Sequence, residues 1–130
     1  MTAWLLMLAL LGADGGEEGA TAPVSSDAGV PTLDVSVMQL ITRPELYEGK
    51  RVRVIGYAVT EFQEVAVFFH KEDFQVANRT NALWVQADRQ YPRKQGWVVV
   101  EGTFDSSIKG RKDAYPGALK DVTRFELWKP

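Results

Sequence analysis

Apolar and polar residues alternate in two stretches that repeat one pattern, Val52-x-Val54-x-Gly56 and Val98-x-Val100-x-Gly102. Such alternation is typical of a strand with one buried face. Each stretch also keeps a glycine where a branched side chain would be favoured, which usually marks a bulge or a sharp bend. A small closed barrel requires strands that bend at defined points. The two stretches are therefore predicted to be bent strands of such a barrel.

The remaining pattern adds three strands and two short helices. The predicted strands span residues 51–62, 65–70, 82–88, 97–105 and 122–128, and a polar loop spans 106–120. Ser36 is placed to cap a helix that ends at about Thr42, because Arg43 precedes a proline. Residues 71–77 are predicted to form the second helix. In the third strand Leu83 and Val85 would face inward, and Trp84 and Gln86 outward.

These elements predict a mainly β fold, a small five-stranded antiparallel barrel with one or two short helices. The connections are too short for crossover helices. A two-sheet sandwich of five strands is the alternative architecture.

The N-terminal part of the chain has a different composition. Residues 3–13 form an apolar run of eleven residues, AWLLMLALLGA, too short for the roughly 20 residues that a membrane-spanning helix needs. We predict a signal-peptide-like segment at 1–13, possible cleavage after Ala13 or Ala22, a disordered linker at 14–31 and the barrel domain at 32–130. The expected location is periplasmic or secreted, with membrane tethering if the signal is not cleaved and no transmembrane helix if it is.

The charge balance bears on the class of partner. Residues 32–130 carry all 15 basic residues against 13 acidic ones, so the predicted domain has a net charge of +2. This near-neutral balance argues against nucleic acid as a partner. The chain has no cysteine, which excludes disulfides, thiolate metal sites and cysteine nucleophiles.

The chain resembles small exported bacterial domains of the oligonucleotide/oligosaccharide-binding (OB) fold, whose function is unassigned. The resemblance covers about residues 36–128 and lies in the runs Gly49–Gly56, Trp97–Phe104 and Gly117–Leu127. It implies that the first and fourth strands are neighbours, so that the two glycine-bearing strands lie side by side. An architecture of this kind does not by itself imply nucleic-acid binding.

Candidate binding residues occur on the second and third strands and on the loop before the fifth. They are aromatic, polar or basic, as a stacking surface with a charged border requires: Phe68, His70, Trp84, Gln86, Lys109, Arg111 and Lys112. Alternatively, Phe68 lies under a helix and the loop cations form a solvated tip. Trp84, Trp97 and Trp128 could form a sugar-stacking platform, or serve as core and cover in a small barrel.

Few residues in this chain could support catalysis. His70 is the only histidine, and with Glu72 and Asp73 nearby it could centre a metal site, or it could simply cap or pair at a strand end. The serines lack any base other than His70, and no nucleophile elbow or phosphate loop is present. No catalytic residue, metal ligand set or cofactor is predicted.

The sequence thus predicts an exported, non-enzymatic binding or interaction module that recognises a protein or a small polar ligand in the cell envelope. Single-stranded nucleic-acid or oligosaccharide binding through the face of strands two and three is one alternative. A metal-binding protein centred on His70 is the other.

Overall fold

The computed structural model describes residues 30–61, 64–86 and 95–130, and its folded unit spans Thr32–Pro130. The described strands are β1 (Leu33–Asp34), β2 (Arg51–Glu61), β3 (Glu64–Phe68), β4 (Ala82–Val85), β5 (Gln95–Asp105) and β6 (Ala118–Leu127). Two helices, α1 (Val37–Thr42) and α2 (Lys71–Gln75), accompany them, together with 3-10 turns at Pro44–Leu46, Arg79–Asn81 and Arg111–Asp113. The predicted signal segment, and the linker except for Val30 and Pro31, lie outside the described residues.

Five of the described strands, β2 to β6, form a closed ring within one mixed sheet, and β1 is attached to it through β2. Their order is β1-β2-β3-β4-β6-β5, and an additional pairing of β2 with β5 closes the ring. The predicted mainly β class and both short helices are confirmed. The exclusively antiparallel arrangement is wrong, because β4 pairs with β6 and β1 with β2 in parallel. The structure also describes six strands rather than the five predicted, because the two-residue β1 is too short to show an alternating pattern.

The two glycine-bearing strands lie side by side, as the resemblance implied. They pair antiparallel in a register that matches each repeat to the other in reverse: Val52 with Gly102, Val54 with Val100, and Gly56 with Val98. The glycines mark places where a neighbouring strand comes close. A Cβ on Gly56 would lie 2.6 Å from the Phe68 carbonyl oxygen, and one on Gly102 would lie 2.9 Å from the Lys120 carbonyl oxygen.

Gly102 in β5 faces a bulge in β6. Glu101 pairs with Arg124 and Thr103 pairs with Lys120, so Gly102 alone lies opposite residues 121–123. Asp121 takes up the bulge with a left-handed φ of 49°. The predicted start of the last strand at residue 122 is therefore wrong, because the bulge interrupts the alternation that β6 has from Ala118 onward. The loop before β6 spans residues 106–117 rather than 106–120.

The main core lies on one face of the ring. Its buried members come from every strand except β1, and α1 adds Val37 and Leu40, both 0% exposed. The hydroxyl of Ser36 accepts a hydrogen bond from the Gln39 amide, so Ser36 caps α1 as predicted. Gln39 Oε1 accepts one from the Ser36 amide in return, which completes a capping box. Phe104, Leu83 and Leu119 are the largest strand side chains that are fully buried.

A second, smaller apolar cluster lies on the opposite face of β2, β3 and β4. Its buried members are Tyr57, Val59, Ala66, Phe68, Ala82 and Tyr115, and Phe74, Trp84 and Ala114 pack against them. Phe74 comes from α2, and Ala114 and Tyr115 come from the 106–117 loop. The helix and the loop therefore both cover the outer face of these strands, and the space between them is where a site can form.

Among the described residues, no helix is long and apolar enough to cross a membrane.

Candidate functional site

Two adjoining pockets open between α2 with the segment after it and the 106–117 loop, and we call them together the loop cleft. The larger pocket, named the mouth, has a volume of about 290 Å³ and is lined by Glu64, Arg79, Arg111, Lys112 and Ala114. The smaller pocket, named the floor, has a volume of about 130 Å³ and is lined by Glu61, Glu64, Arg79 and a larger set of mainly apolar residues: Val59, Ala66, Phe68, Phe74, Ala77 and Tyr115. Mouth and floor share Glu64 and Arg79.

Glu64 and Arg79, which line both mouth and floor, form an ion pair to which the Tyr115 phenol is hydrogen-bonded. Arg79 Nε lies 2.7 Å from Glu64 Oε2, and Arg79 also donates to Oε1 at 3.4 Å. The Tyr115 hydroxyl donates to the same Glu64 Oε2. These contacts join the start of β3, the 3-10 turn after α2 and the 106–117 loop, so they fix the two walls of the cleft relative to each other.

The ionisation of this group follows from its contacts. The hydrogen bond from Arg79 holds the pKa of Glu64 below its ordinary value, and the bond from Tyr115 acts in the same direction. Burial raises the pKa of Tyr115, and its bond to the Glu64 carboxylate raises it further. Glu64 in turn raises the pKa of Arg79. At neutral pH the group is a carboxylate, a guanidinium and a neutral phenol, and Glu64 has both oxygens occupied by donors.

Hydrogen bonds within the 106–117 loop, and the Trp84 ring beside it, hold the loop in a defined shape. The Tyr115 amide donates to the Lys109 carbonyl at 3.0 Å, and the Lys109 ammonium donates to the Pro116 carbonyl at 3.1 Å. Gly110 has a φ of 67°, and the Trp84 ring lies so close that a Cβ on this glycine would be 2.6 Å from Trp84 Cδ2. Lys112 has a φ of 56°, a left-handed conformation that is uncommon for a residue with a side chain.

The structure separates the predicted binding residues into three groups. Phe68, Arg111 and Lys112 line the loop cleft. Trp84 and Lys109 support the loop, Trp84 through Gly110 and through Tyr115, whose ring centroid is 5.5 Å away. His70 and Gln86 are exposed and do not line the cleft.

Phe68 is not available as an open stacking surface. It is 4% exposed, and the Phe74 ring covers it at a centroid distance of 5.7 Å. Of the two interpretations of Phe68, the one that places it under a helix is confirmed. The face of strands two and three, on which nucleic-acid or oligosaccharide binding would depend, is therefore covered by α2 at this position.

The remaining aromatic and metal candidates do not converge either. Trp97 packs edge-on against Tyr57 at 5.8 Å, and its carbonyl accepts a hydrogen bond from the Trp128 amide at 2.8 Å, whereas Trp84 packs against Tyr115 at 5.5 Å. In the part of the chain that the structure describes, no ring contact joins Trp84 to either of the other two tryptophans.

The His70 ring lies against Phe69 at a centroid distance of 4.2 Å, tilted by 36°. Within the described ranges, it neither caps α2 by a side-chain hydrogen bond nor pairs with Glu72 or Asp73, so the interpretation that it caps or pairs with one of them is wrong. Among the described residues, no three His, Cys, Asp or Glu side chains are grouped to hold a metal ion.

Glu64, Arg79 and Tyr115 are the site residues that sequence reasoning missed. Glu64 lies 15 residues from Arg79 and 51 from Tyr115 along the chain. No local spacing links them. The one available signal was an aromatic residue, Tyr115, beside a proline and a glycine in a loop that is otherwise polar.

No family model matches this chain, and the search of curated proteins found no match either. The function is therefore argued from the geometry of the cleft.

Proposed function

We propose that this protein is an exported, non-enzymatic binding module on an OB-like barrel, and that its ligand occupies the loop cleft. The observation that carries the proposal is the lining of the cleft. An apolar floor adjoins a mouth with two basic side chains, Arg111 and Lys112, and the walls are fixed by the Glu64, Arg79 and Tyr115 contacts. A concave site with an apolar lining and a few placed polar groups is the usual form of a small-ligand site.

The ring of strands supports the barrel part of the proposal. The ring runs β2-β3-β4-β6-β5 and returns to β2, with the two glycine-bearing strands adjacent. In OB folds the loop between the fourth and fifth barrel strands and the face of strands two and three take part in ligand binding. We assign these positions to the 106–117 loop, between β5 and β6, and to β3.

The non-enzymatic part rests on the chemistry of the lining residues. The described residues around mouth and floor include no serine, cysteine or histidine that could act as a nucleophile or base. Glu64 accepts hydrogen bonds from Arg79 and Tyr115, and Arg79 lowers its pKa, so it is a poor proton acceptor at neutral pH. Such residues bind and orient a ligand.

The left-handed backbone at Lys112 gives further support. A residue with a side chain holds this conformation at a cost of the order of 1–3 kcal/mol, and such residues cluster at ligand sites. At Lys112 the conformation occurs in a residue that lines the mouth.

Export is proposed from the apolar run at residues 3–13, and it has a direct check. When the full chain is expressed in an exporting bacterium, we expect the protein in the envelope or medium to begin after Ala13 or Ala22, because small residues precede both bonds. N-terminal sequencing of the fractionated protein measures this. An unprocessed chain confined to the cytoplasm contradicts export and leaves the cleft proposal unaffected.

The binding site is tested by mapping small molecules onto the protein. We expect members of a mixed set of neutral, cationic and anionic compounds to shift the backbone amide signals of residues around the cleft. Ala66, Ala114 and Lys112 are the most useful reporters, since they sample floor, mouth and loop. Proton–nitrogen correlation spectra of the labelled protein measure the shifts.

The exposed tryptophans provide the internal comparison in those spectra. Trp97 and Trp128 are 41% and 40% exposed and do not line the cleft. Shifts centred on these residues, or no binding by any compound in the set, would contradict the proposed site.

A further inference from the structure

The floor of the loop cleft is sized and lined for one compact apolar group. Its volume of about 130 Å³ is close to that of an engineered protein cavity of about 150 Å³ that binds benzene. Phe68, Phe74, Ala66 and Tyr115 are among its apolar lining residues. A ring or a short branched hydrocarbon matches this volume.

The mouth is lined by more basic than acidic side chains. Arg79 and Glu64 form an ion pair, so their charges offset each other. The side chains of Arg111 and Lys112 make no hydrogen bond and no close ion pair with any described residue, although Arg111 acts on Glu64 at longer range. The remaining carboxylate of the lining, Glu61, is exposed and lines only the floor. The mouth therefore presents two basic side chains that no described residue binds directly.

Two basic groups at the opening of an apolar pocket recognise a particular combination of chemistry. An oxyanion can accept charge-assisted hydrogen bonds from a guanidinium and an ammonium, and the guanidinium fork matches a carboxylate or a phosphate. The apolar part of the same molecule gains from leaving water for the floor. A simple ion would leave the apolar floor without an occupant, and a pure hydrocarbon would leave the basic groups of the mouth without a partner.

We propose that the ligand of the loop cleft is a small organic oxyanion, a carboxylate or phosphate monoester joined to an apolar group of about the size of a benzene ring. This inference rests on the proposed function and specifies its ligand class. The apolar group occupies the floor against Phe68 and Phe74, and the oxyanion lies in the mouth between Arg111 and Lys112. The Glu64, Arg79 and Tyr115 contacts fix the mouth and the floor relative to each other.

Four probes separate the two halves of this chemistry. Phenylacetate and phenyl phosphate each carry a ring and an oxyanion, phenylacetamide is the neutral counterpart of the first, and acetate lacks the ring. We expect both aryl oxyanions to bind at least about tenfold more tightly than phenylacetamide and acetate. Phenylacetamide lacks the charged hydrogen-bond acceptor, and acetate lacks the ring that leaves water for the floor. Dissociation constants come from amide-shift titrations of the full chain at low ionic strength. The preferred aryl oxyanion identifies the head group, and equal binding supports the shared chemistry.

A matched pair of variants tests the assignment to the mouth. Replacing Arg111→Gln and Lys112→Gln together is expected to weaken phenylacetate about tenfold and to leave phenylacetamide unchanged. Lys50→Gln with Lys129→Gln removes the same charge from exposed positions outside the lining, and we expect no more than a twofold change. All four positions are exposed, so these variants should fold.

Three results would overturn the inference. If phenylacetamide binds the cleft as tightly as phenylacetate, the ligand class is wrong although the cleft is still a binding site. If both double variants weaken phenylacetate equally, the effect is one of overall charge and not of the mouth. If neither these probes nor any compound of the mixed set binds, the proposed function fails together with this inference.

Discussion

Gly56→Ala should lower the free energy of unfolding by about 3 kcal/mol, far more than a typical change to a small residue, because the added methyl group meets backbone atoms. Its Cβ would lie 2.6 Å from the Phe68 carbonyl oxygen and 2.6 Å from Val67 Cγ2. The side chain of Val67 can rotate, but the carbonyl can move only if β3 moves. Tyr57 pairs with Phe68 directly beside this contact, so relief of the clash disturbs the pairing of β2 with β3.

Two other glycines calibrate this result. A Cβ on Gly102 would lie 2.9 Å from the Lys120 carbonyl and 3.3 Å from Val122 Cγ2, a milder conflict, so Gly102→Ala should cost about 2 kcal/mol. Gly49 has no atom within 4 Å of its Cβ position but has a φ of 77°, so Gly49→Ala should cost only about 1 kcal/mol of backbone strain. Urea denaturation with linear extrapolation measures all three. A value for Gly56→Ala within 0.5 kcal/mol of wild type contradicts the close approach of β3.

Phe74→Ala should lower the free energy of unfolding by about 2 kcal/mol, less than the 3–5 kcal/mol of a fully buried phenylalanine because Phe74 is half-buried. The Phe74 ring stacks on Tyr57 at 5.7 Å and meets Phe68 edge-on at 5.7 Å. Its removal therefore exposes both of these rings to solvent. The higher helix propensity of alanine works against this loss by about 0.5 kcal/mol.

The matched control for Phe74 lies in the same segment. Val76 is 74% exposed, so Val76→Ala should change the free energy of unfolding by less than about 0.5 kcal/mol. Urea denaturation again supplies the measurement. Equal stability of Phe74→Ala and Val76→Ala would mean that α2 does not cover the outer face of β2 and β3, and the floor of the loop cleft would then lose one of its walls.

The local parts of the fold were predictable from the sequence. Alternation identified β2 and β5, and Ser36 with the Arg43–Pro44 step identified the start and end of α1. Pairing was harder. Nothing in the sequence of β4 distinguishes an antiparallel partner from the parallel one it has in β6. The early start of β6 was hidden because the left-handed Asp121 breaks the alternation.

The candidate site was predictable in part, for a similar reason. Arg111 and Lys112 attract notice as adjacent cations in a loop, and both line the mouth. The Glu64–Arg79 pair and Tyr115 depend on the folding of distant segments onto one face of the ring, which local pattern does not record. Phe68 was identified, but only the position of Phe74 decides whether it forms an open surface or a covered floor.

The most direct test of the loop cleft as the binding site is a distance measurement between protein and ligand. Intermolecular nuclear Overhauser effects should be recorded with the tightest-binding compound of the mixed set. The account predicts contacts from the ligand to the methyl groups of Ala66 in the floor and Ala114 in the mouth. Contacts to the exposed rings of Trp97 and Trp128, with none to these two methyl groups, would contradict it.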